Sequence, residues 1–421
     1  MARRRLTEGR AEVPNRQLPR WSQLRPLLRR RPFVADPVAR RLGRAHTIAD
    51  LRALARRRVP RSVFDYVDGA AESEISIGRA REAYRDVEFH PRVLRDVSSV
   101  DPSVDVLGRR SALPLILAPT GFTRLMHHEG ETAVARAAAA AGIPYALSTM
   151  GTTSVESLVK AVPGGRVWFQ LYLWRDREAG KRLIGQALAA GVEALILTVD
   201  TPVGGARMRD VRNGLTIPPT LSLRTLTGMA LHPGWWANLL TTGPLEFASM
   251  TSWNGTVEEL VRQMFDPGVG PDDLAWLRDE WPGKLIVKGV QSVADAELVV
   301  EAGADAVVVS NHGGRQLDRA PTPLDLLRPV VDAVGDRAEV IIDTGISTGA
   351  DLVAARALGA SAGMVGRAYL YGLMAGGERG VRRTLDILGQ EATRTLRLLG
   401  VPRMRDLTTE HLSLRTRRTH E

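Results

Sequence analysis

Short continuous apolar runs alternate with longer amphipathic ones along this chain, and from residue 115 the alternation becomes regular. Residues 115–118, 145–148, 167–172, 194–200, 285–288, 306–310, 340–343 and 362–366 are apolar stretches bounded by turn residues, the pattern of strands buried on both faces. Between them, residues 130–141, 154–162, 177–190, 293–302, 324–334 and 349–358 carry helical periodicity. Eight such βα units predict an α/β fold, a (β/α)8 TIM barrel. One interval breaks the rhythm: about eighty residues separate the fourth and fifth strands, far more than an ordinary connection. That interval holds Trp235, Trp236 and Trp253 amid glycine and proline, and it reads as a lid over 203–256. Only 256–265 and 272–280 look helical enough to carry the crossover.

Ahead of the barrel, Ile48, Leu51, Leu54 and Ala55 fall on one helical face, and the run from Phe64 to Val67 keeps helical spacing until Gly69. The predicted layout is a basic tail over 1–44, an N-terminal helical segment over 45–110 packed on the barrel, the barrel itself over 111–412, and a C-terminal tail over 413–421.

Composition changes this picture in two places. The net charge of +10 is concentrated in residues 1–44, which hold thirteen arginines against Glu8, Glu12 and Asp36, so the rest is near neutral and nucleic acid is not expected as a partner. Five prolines in that tail oppose a long helix, and disorder is the expectation, with an organellar presequence or a membrane-surface contact as alternatives. The chain has no cysteine, which excludes disulfides, thiolate catalysis, cysteine-held iron–sulfur clusters and thioether-linked haem. No stretch is long and apolar enough to span a bilayer.

Barrels of this kind place their chemistry at the C-terminal strand ends. Here those ends carry Ala118-Pro119-Thr120-Gly121, Ser148-Thr149, Gln170 with Tyr172, Thr198 with Asp200, Lys288, His312 with Arg315, Asp343 with Gly345, and Gly366-Arg367. The densest is Ser310-Asn311-His312-Gly313-Gly314-Arg315-Gln316-Leu317-Asp318. An imidazole titrating near neutrality, a glycine pair that admits a flat ligand and a guanidinium fork suited to a carboxylate together specify proton abstraction beside a held carboxylate. His127 and His128 are alternative bases on paper, but they lie several residues past a strand end and read as loop residues. No metal site is expected.

The signature resembles that of the FMN-dependent α-hydroxy-acid-oxidising family, which includes glycolate oxidase, L-lactate dehydrogenase, lactate monooxygenase and mandelate dehydrogenase. Asp65-Tyr66, Ala118-Pro119-Thr120, Gln170-Leu171-Tyr172, Thr198-Val199-Asp200-Thr201-Pro202 and Val287-Lys288-Gly289 agree with it in order, so the likeness runs from about Thr47 to Leu412. The resemblance implies that His312 is the catalytic base, that Asp200 supports its imidazolium, that Arg315 and Arg207 grip the substrate carboxylate with Tyr66, and that Tyr172 hydrogen-bonds the substrate oxygen. It further implies an FMN site formed by Pro119, Thr120, Gly121, Ser148, Gln170, Thr198 and Ser310, with Lys288 beside the flavin's N1–C2 carbonyl. Asp343 would meet the ribityl hydroxyls, and Gly345, Gly366 and Arg367 the phosphate.

Two departures stand out. Many relatives carry an arginine two residues after the glycine of Asp343-Thr344-Gly345, where this chain has Ser347, which predicts a weaker phosphate grip. Gly121 replaces an alanine frequent in oxidases and is expected to leave room above the flavin. The implied activity is oxidation of an L-2-hydroxy acid, L-lactate to pyruvate, with electrons passed to a quinone or cytochrome. The alternatives are an oxygen-using oxidase or monooxygenase and an oxidative peptide-cofactor maturation enzyme on the same fold. A catalytically silent barrel binding a membrane or partner is opposed by intact His312, Arg315, Asp200 and Tyr172. Family likeness also implies a homotetramer, and the location expected is cytoplasmic, with a peripheral contact at the inner face of the membrane.

Overall fold

The computed structural model describes residues 16–28, 34–214, 230–248 and 264–415. Met1–Arg41 and Leu42–Glu421 form separate compact units. In the first, Trp21–Leu24 makes one helical turn, and the short helix Pro37–Leu42 begins there and has its last residue in the second. The second begins at Leu42, slightly before the boundary read from the sequence.

Eight parallel strands close the barrel: β1 Leu115–Leu117, β2 Tyr145–Ser148, β3 Val167–Leu171, β4 Ala194–Thr198, β5 Lys284–Val290, β6 Ala306–Val309, β7 Glu339–Asp343 and β8 Ala362–Val365. Their order is β7-β8-β1-β2-β3-β4-β5-β6, so chain order and barrel order coincide. Nearly every strand residue is buried, because one face fills the barrel and the other meets the helices. This explains why the strands lack polar alternation and were readable as apolar runs.

From Ile48 onward, three helices precede the barrel: α1 Ile48–Arg58, α2 Arg61–Asp68 and α3 Ile75–Arg85. Thr47 and Asp50 cap α1 reciprocally, the threonine hydroxyl accepting from Asp50 N–H at 3.1 Å and the carboxylate from Thr47 N–H at 3.0 Å. The last residue of α2, Asp68, is a buried hub. It accepts from Arg52 of α1 (2.5 and 2.8 Å), from Arg209 beyond β4 (3.0 Å) and from the Tyr371 hydroxyl (2.7 Å). Burial pushes its carboxyl up, but these donors outweigh burial and hold it well below the ordinary carboxylate range.

The barrel helices are α4 Gly130–Ala140, α5 Val155–Ala161, α6 Arg177–Ala190, α8 Pro271–Glu280, α9 Val293–Glu301, α10 Pro323–Val334, α11 Gly349–Ala357 and α12 Arg367–Leu399, with α7 Pro233–Leu240 lying in the long excursion after β4. The expected crossover over 272–280 is α8; the one over 256–265 lies largely outside the described residues, as does part of the lid. Trp235 of α7 is buried, its indole N–H donating to Leu125 O at 2.9 Å, whereas Leu231 and Leu240 are exposed. At the chain's other end Leu412–Leu414 pairs antiparallel with Val87–Phe89, so Ser413 and Leu414 belong to the body rather than to a tail from 413.

Candidate active site

The strand ends open into a cavity of about 710 Å³, the size of a pocket that encloses a cofactor-sized ligand. All eight strands or the loops just beyond them line it. Of the residues singled out in the sequence, Tyr66, Pro119, Thr120, Gly121, Ser148, Gln170, Tyr172, Thr198, Arg207, Lys288, His312, Arg315, Asp343, Gly345, Gly366 and Arg367 all face this space. Asp200 and Ser310 do not; they stand one layer behind.

Asp200 is almost wholly buried, and its Oδ1 lies 2.9 Å from His312 Nδ1. That contact assigns Nδ1 to the carboxylate and leaves Nε2 for the cavity. Burial pushes the Asp200 carboxyl up, yet His312 and Lys288 outweigh it and keep the carboxyl below its usual value. Its Oδ2 is buried without a hydrogen-bond partner. The close approach depends on Gly289 (φ +106°), where a Cβ would fall 2.7 Å from Asp200 Cβ. Ser310 joins two functional groups: its hydroxyl accepts from Lys288 Nζ at 2.9 Å and from His312 N–H at 3.0 Å. His312 itself has φ +57°, in the left-handed region that few non-glycine residues adopt.

Across the cavity two guanidiniums share one ring. The Arg315 Cζ stands 5.0 Å, and the Arg207 Cζ 5.4 Å, from the Tyr66 centroid. Arg315 also donates to Tyr66 O at 2.5 Å, and Arg207 pairs with Asp210 at 3.4 Å. Burial and neighbouring Arg207 push Arg315 down to about 10, so it remains a cation at neutral pH. Two like charges held this close favour an anion between them. Tyr172 packs edge-on to Phe265, and burial, with Asp200 adding, pushes its phenol up, so it stays a hydrogen-bond donor.

On the remaining wall, Ser148 Oγ donates to Gln170 Oε1 (3.1 Å) and Gln170 Nε2 to Thr198 Oγ1 (3.0 Å), a polar line across β2, β3 and β4. Lys288 Nζ lies 2.9 Å from Asp343 Oδ2. Burial would lower the lysine, but Asp343 and Asp200 outweigh it and keep the ammonium charged. Arg367 turns its guanidinium onto Val67 O (3.0 Å) and Gly69 O (2.6 Å), so toward the cavity the head of α12 offers chiefly backbone amides. Ser347 donates N–H and Oγ to Asp351. The room expected above Gly121 is not open: a Cβ there would fall 2.9 Å from Met150 Cβ.

Sequence reasoning missed several supports. Thr344 (φ +70°) accepts Gly313 N–H at 2.9 Å and donates to Asp343 Oδ1 at 2.7 Å. The Gln316 amide donates to Asp200 O and Val203 O and accepts Gly205 N–H, while a Cβ at Gly205 would strike Arg315 O. The Tyr369 hydroxyl braces Ala118 O (2.9 Å) and Thr120. Thr344, Gln316 and Gly289 sat inside motifs already quoted; nothing in the sequence marked Tyr369. His127 and His128 do not line the cavity; with Glu129 they make a separate cluster whose ligand atoms lie within 4.8 Å of one another.

The donor set suits a flavin mononucleotide: a polar line for the ring edge, a buried cation at Lys288, and free amides at a helix head for a phosphate. Residues 55–414 match the family model described as FMN-dependent dehydrogenase. A Mycobacterium tuberculosis protein provisionally named L-lactate dehydrogenase is 56% identical over 399 residues, 95% of this chain and 96% of that protein. The L-lactate dehydrogenase of Caulobacter vibrioides is 43% identical, covering 84% of this chain and 93% of its own. The crystal structure of the monotopic membrane protein (S)-mandelate dehydrogenase superposes with a TM-score of 0.85 at 39% identity, over 88% of this chain and 100% of that one.

Proposed function

This chain belongs to the FMN-dependent dehydrogenase family, and from that premise we propose that the cavity oxidises an L-2-hydroxy acid, L-lactate to pyruvate. The observation that carries the reading is the buried Asp200–His312 pair facing, across one cavity, two guanidiniums on the Tyr66 ring. When bound, FMN supplies the two-electron acceptor for the substrate's second carbon. The rest falls to side chains. Arg315 and Arg207 take the carboxylate, the planar fork fixing its orientation. Tyr172 donates to the 2-oxygen. His312 Nε2 takes the proton that the hydroxy acid gives up, and Asp200 steadies the resulting imidazolium. Lys288, a buried cation, would favour the negative charge that the cofactor gains on reduction.

Electrons then pass to a quinone or cytochrome, at a peripheral membrane contact. Support comes from the membrane-bound mandelate dehydrogenase and from Leu231 and Leu240, exposed on the excursion after β4. No helix among the described residues is long and apolar enough to cross a membrane. The test is anaerobic mixing with L-lactate, D-lactate and (S)-mandelate, followed by oxygen, a soluble quinone or cytochrome c. Bleaching of flavin absorbance by L-lactate and fast reoxidation by quinone are expected. Bleaching by mandelate alone would replace the substrate, and reoxidation by oxygen alone would replace the acceptor.

A further inference from the structure

Among the described residues, five arginines and lysines line the cavity: Arg81, Arg207, Lys288, Arg315 and Arg367. Four are committed. Lys288 is bound to Asp343 and Ser310, Arg207 to Asp210, Arg315 to Tyr66 O, and Arg367 to two backbone carbonyls. Arg81 is solvent-exposed and, among the described residues, has neither a hydrogen bond nor an ion pair.

Its position is specific. Arg81 sits on α3, and Ile77 one turn earlier lines the same cavity. The helix lies against the loop after β7: a Cβ at Gly345 would fall 2.8 Å from Ala80 O and 2.8 Å from the Tyr84 ring. Barrels hold phosphate groups at the loops after their seventh and eighth strands, and here those loops bring one side-chain cation, Arg367, whose Nε and one Nη are already given to backbone carbonyls. Ser347 is neutral and spent on Asp351, and Arg367 is tied to Val67 and Gly69. Burial pushes Arg367 down, and Arg81 adds to that as a like charge close by. The two guanidiniums thus leave an excess of positive charge beside free backbone amides, which a dianion would neutralise.

We propose that Arg81 is a side-chain cation that holds the FMN phosphate in this chain beside Arg367, supplied from the N-terminal segment because Ser347 cannot supply it from the barrel. The assignment rests on the family's cofactor. FMN then joins α3 to the barrel loops, so the N-terminal segment is part of the cofactor site and not only a cover for it.

The experiment titrates full-length apoprotein with FMN and, separately, with riboflavin, which lacks the phosphate, following quenching of flavin fluorescence. Arg81→Ala is expected to raise the FMN dissociation constant about tenfold to a hundredfold, the range for losing a charged hydrogen bond, and to leave riboflavin binding unchanged. Arg81→Gln, which keeps most of the stem, is expected to match it, and Arg81→Lys to recover most of the affinity. Ser347→Arg placed in the Arg81→Ala protein is expected to restore FMN binding. Wild-type FMN affinity in Arg81→Ala would overturn the assignment. So would equal weakening of FMN and riboflavin, the mark of a structural role. Failure of the wild-type protein to bind FMN would instead overturn the cofactor reading, and the assignment with it.

Discussion

Asp200→Asn isolates the charge behind His312 with little change of shape. The carboxylate is 2% exposed, and its Oδ1 is 2.9 Å from the imidazole nitrogen. With charge centres about 4 Å apart and an effective dielectric near 20, the attraction between carboxylate and imidazolium is about 4 kcal/mol. Asparagine can keep the hydrogen bond but not the charge, and the neighbouring Lys288 ammonium is left less balanced. At about 1.4 kcal/mol per decade the full attraction is a factor of about a thousand. The imidazole is a quarter exposed, which weakens the field, so the expected fall in the rate of anaerobic flavin reduction is about a hundredfold to a thousandfold. Stopped-flow absorbance with L-lactate measures it, and FMN affinity, from fluorescence titration, is expected to stay within a few-fold of wild type. A reduction rate within tenfold of wild type would refute the electrostatic reasoning. Parallel loss of FMN would make Asp200 a structural residue.

Arg315→Lys should lower kcat/KM for L-lactate about tenfold to a hundredfold, chiefly through KM, because an ammonium offers no planar fork and cannot stack equally on Tyr66; unchanged steady-state kinetics would remove the role. Deleting residues 1–41 should preserve FMN content and lactate-driven bleaching, since every cavity-lining residue comes later; a colourless product would place a cofactor contact in the tail. Asp68→Asn should destabilise the protein by about 2–3 kcal/mol at pH 7, the range for hydrogen bonds to a buried charge, because the Arg52 and Arg209 side chains are 44% and 34% exposed and stay partly hydrated. Because the folded carboxyl is held low, that contribution is present above the ordinary value of about 4 and is lost as pH falls through the folded value. The gap between wild type and variant should therefore narrow in urea melts below about pH 4; a gap that stays constant with pH would contradict the assignment.

The barrel was legible because its strands are buried on both faces and its helices are amphipathic, so the two element types differ in hydrophobic period. The fifth strand shows the limit: Lys284 begins it and Gly289 lies inside, polar or small residues that a propensity reading clips off. The site was legible where chemistry needs a side chain, as at His312, Asp200, Arg315 and Lys288. It was not legible where the backbone or a distant helix does the work. Tyr369 braces the loop after β1 from the second residue-pair of α12, and Arg81 reaches the cavity from before the barrel begins. Gly121 misled for a related reason. Its missing methyl suggests space, but Met150, from the next strand's loop, fills it.

The Asp318 carboxylate accepts three amides where the turn after α2 enters α3: Ser73 and Ile75 on one oxygen, Ser76 on the other. Ala71 N–H meets Gly314 O, and Glu72 N–H meets Ala206 O. These partners are far apart in time as well as sequence, for Ser76 and Asp318 are separated by 242 residues. At about 5–20 residues per second, a ribosome reaches the second some 12–50 s after the first. Throughout that interval the Ser73, Ile75 and Ser76 amides lack the carboxylate that holds them in the finished fold. The first part of the site to be synthesised is thus among the last to settle, and a nascent chain stalled before β6 owns most of a barrel but no closed cavity.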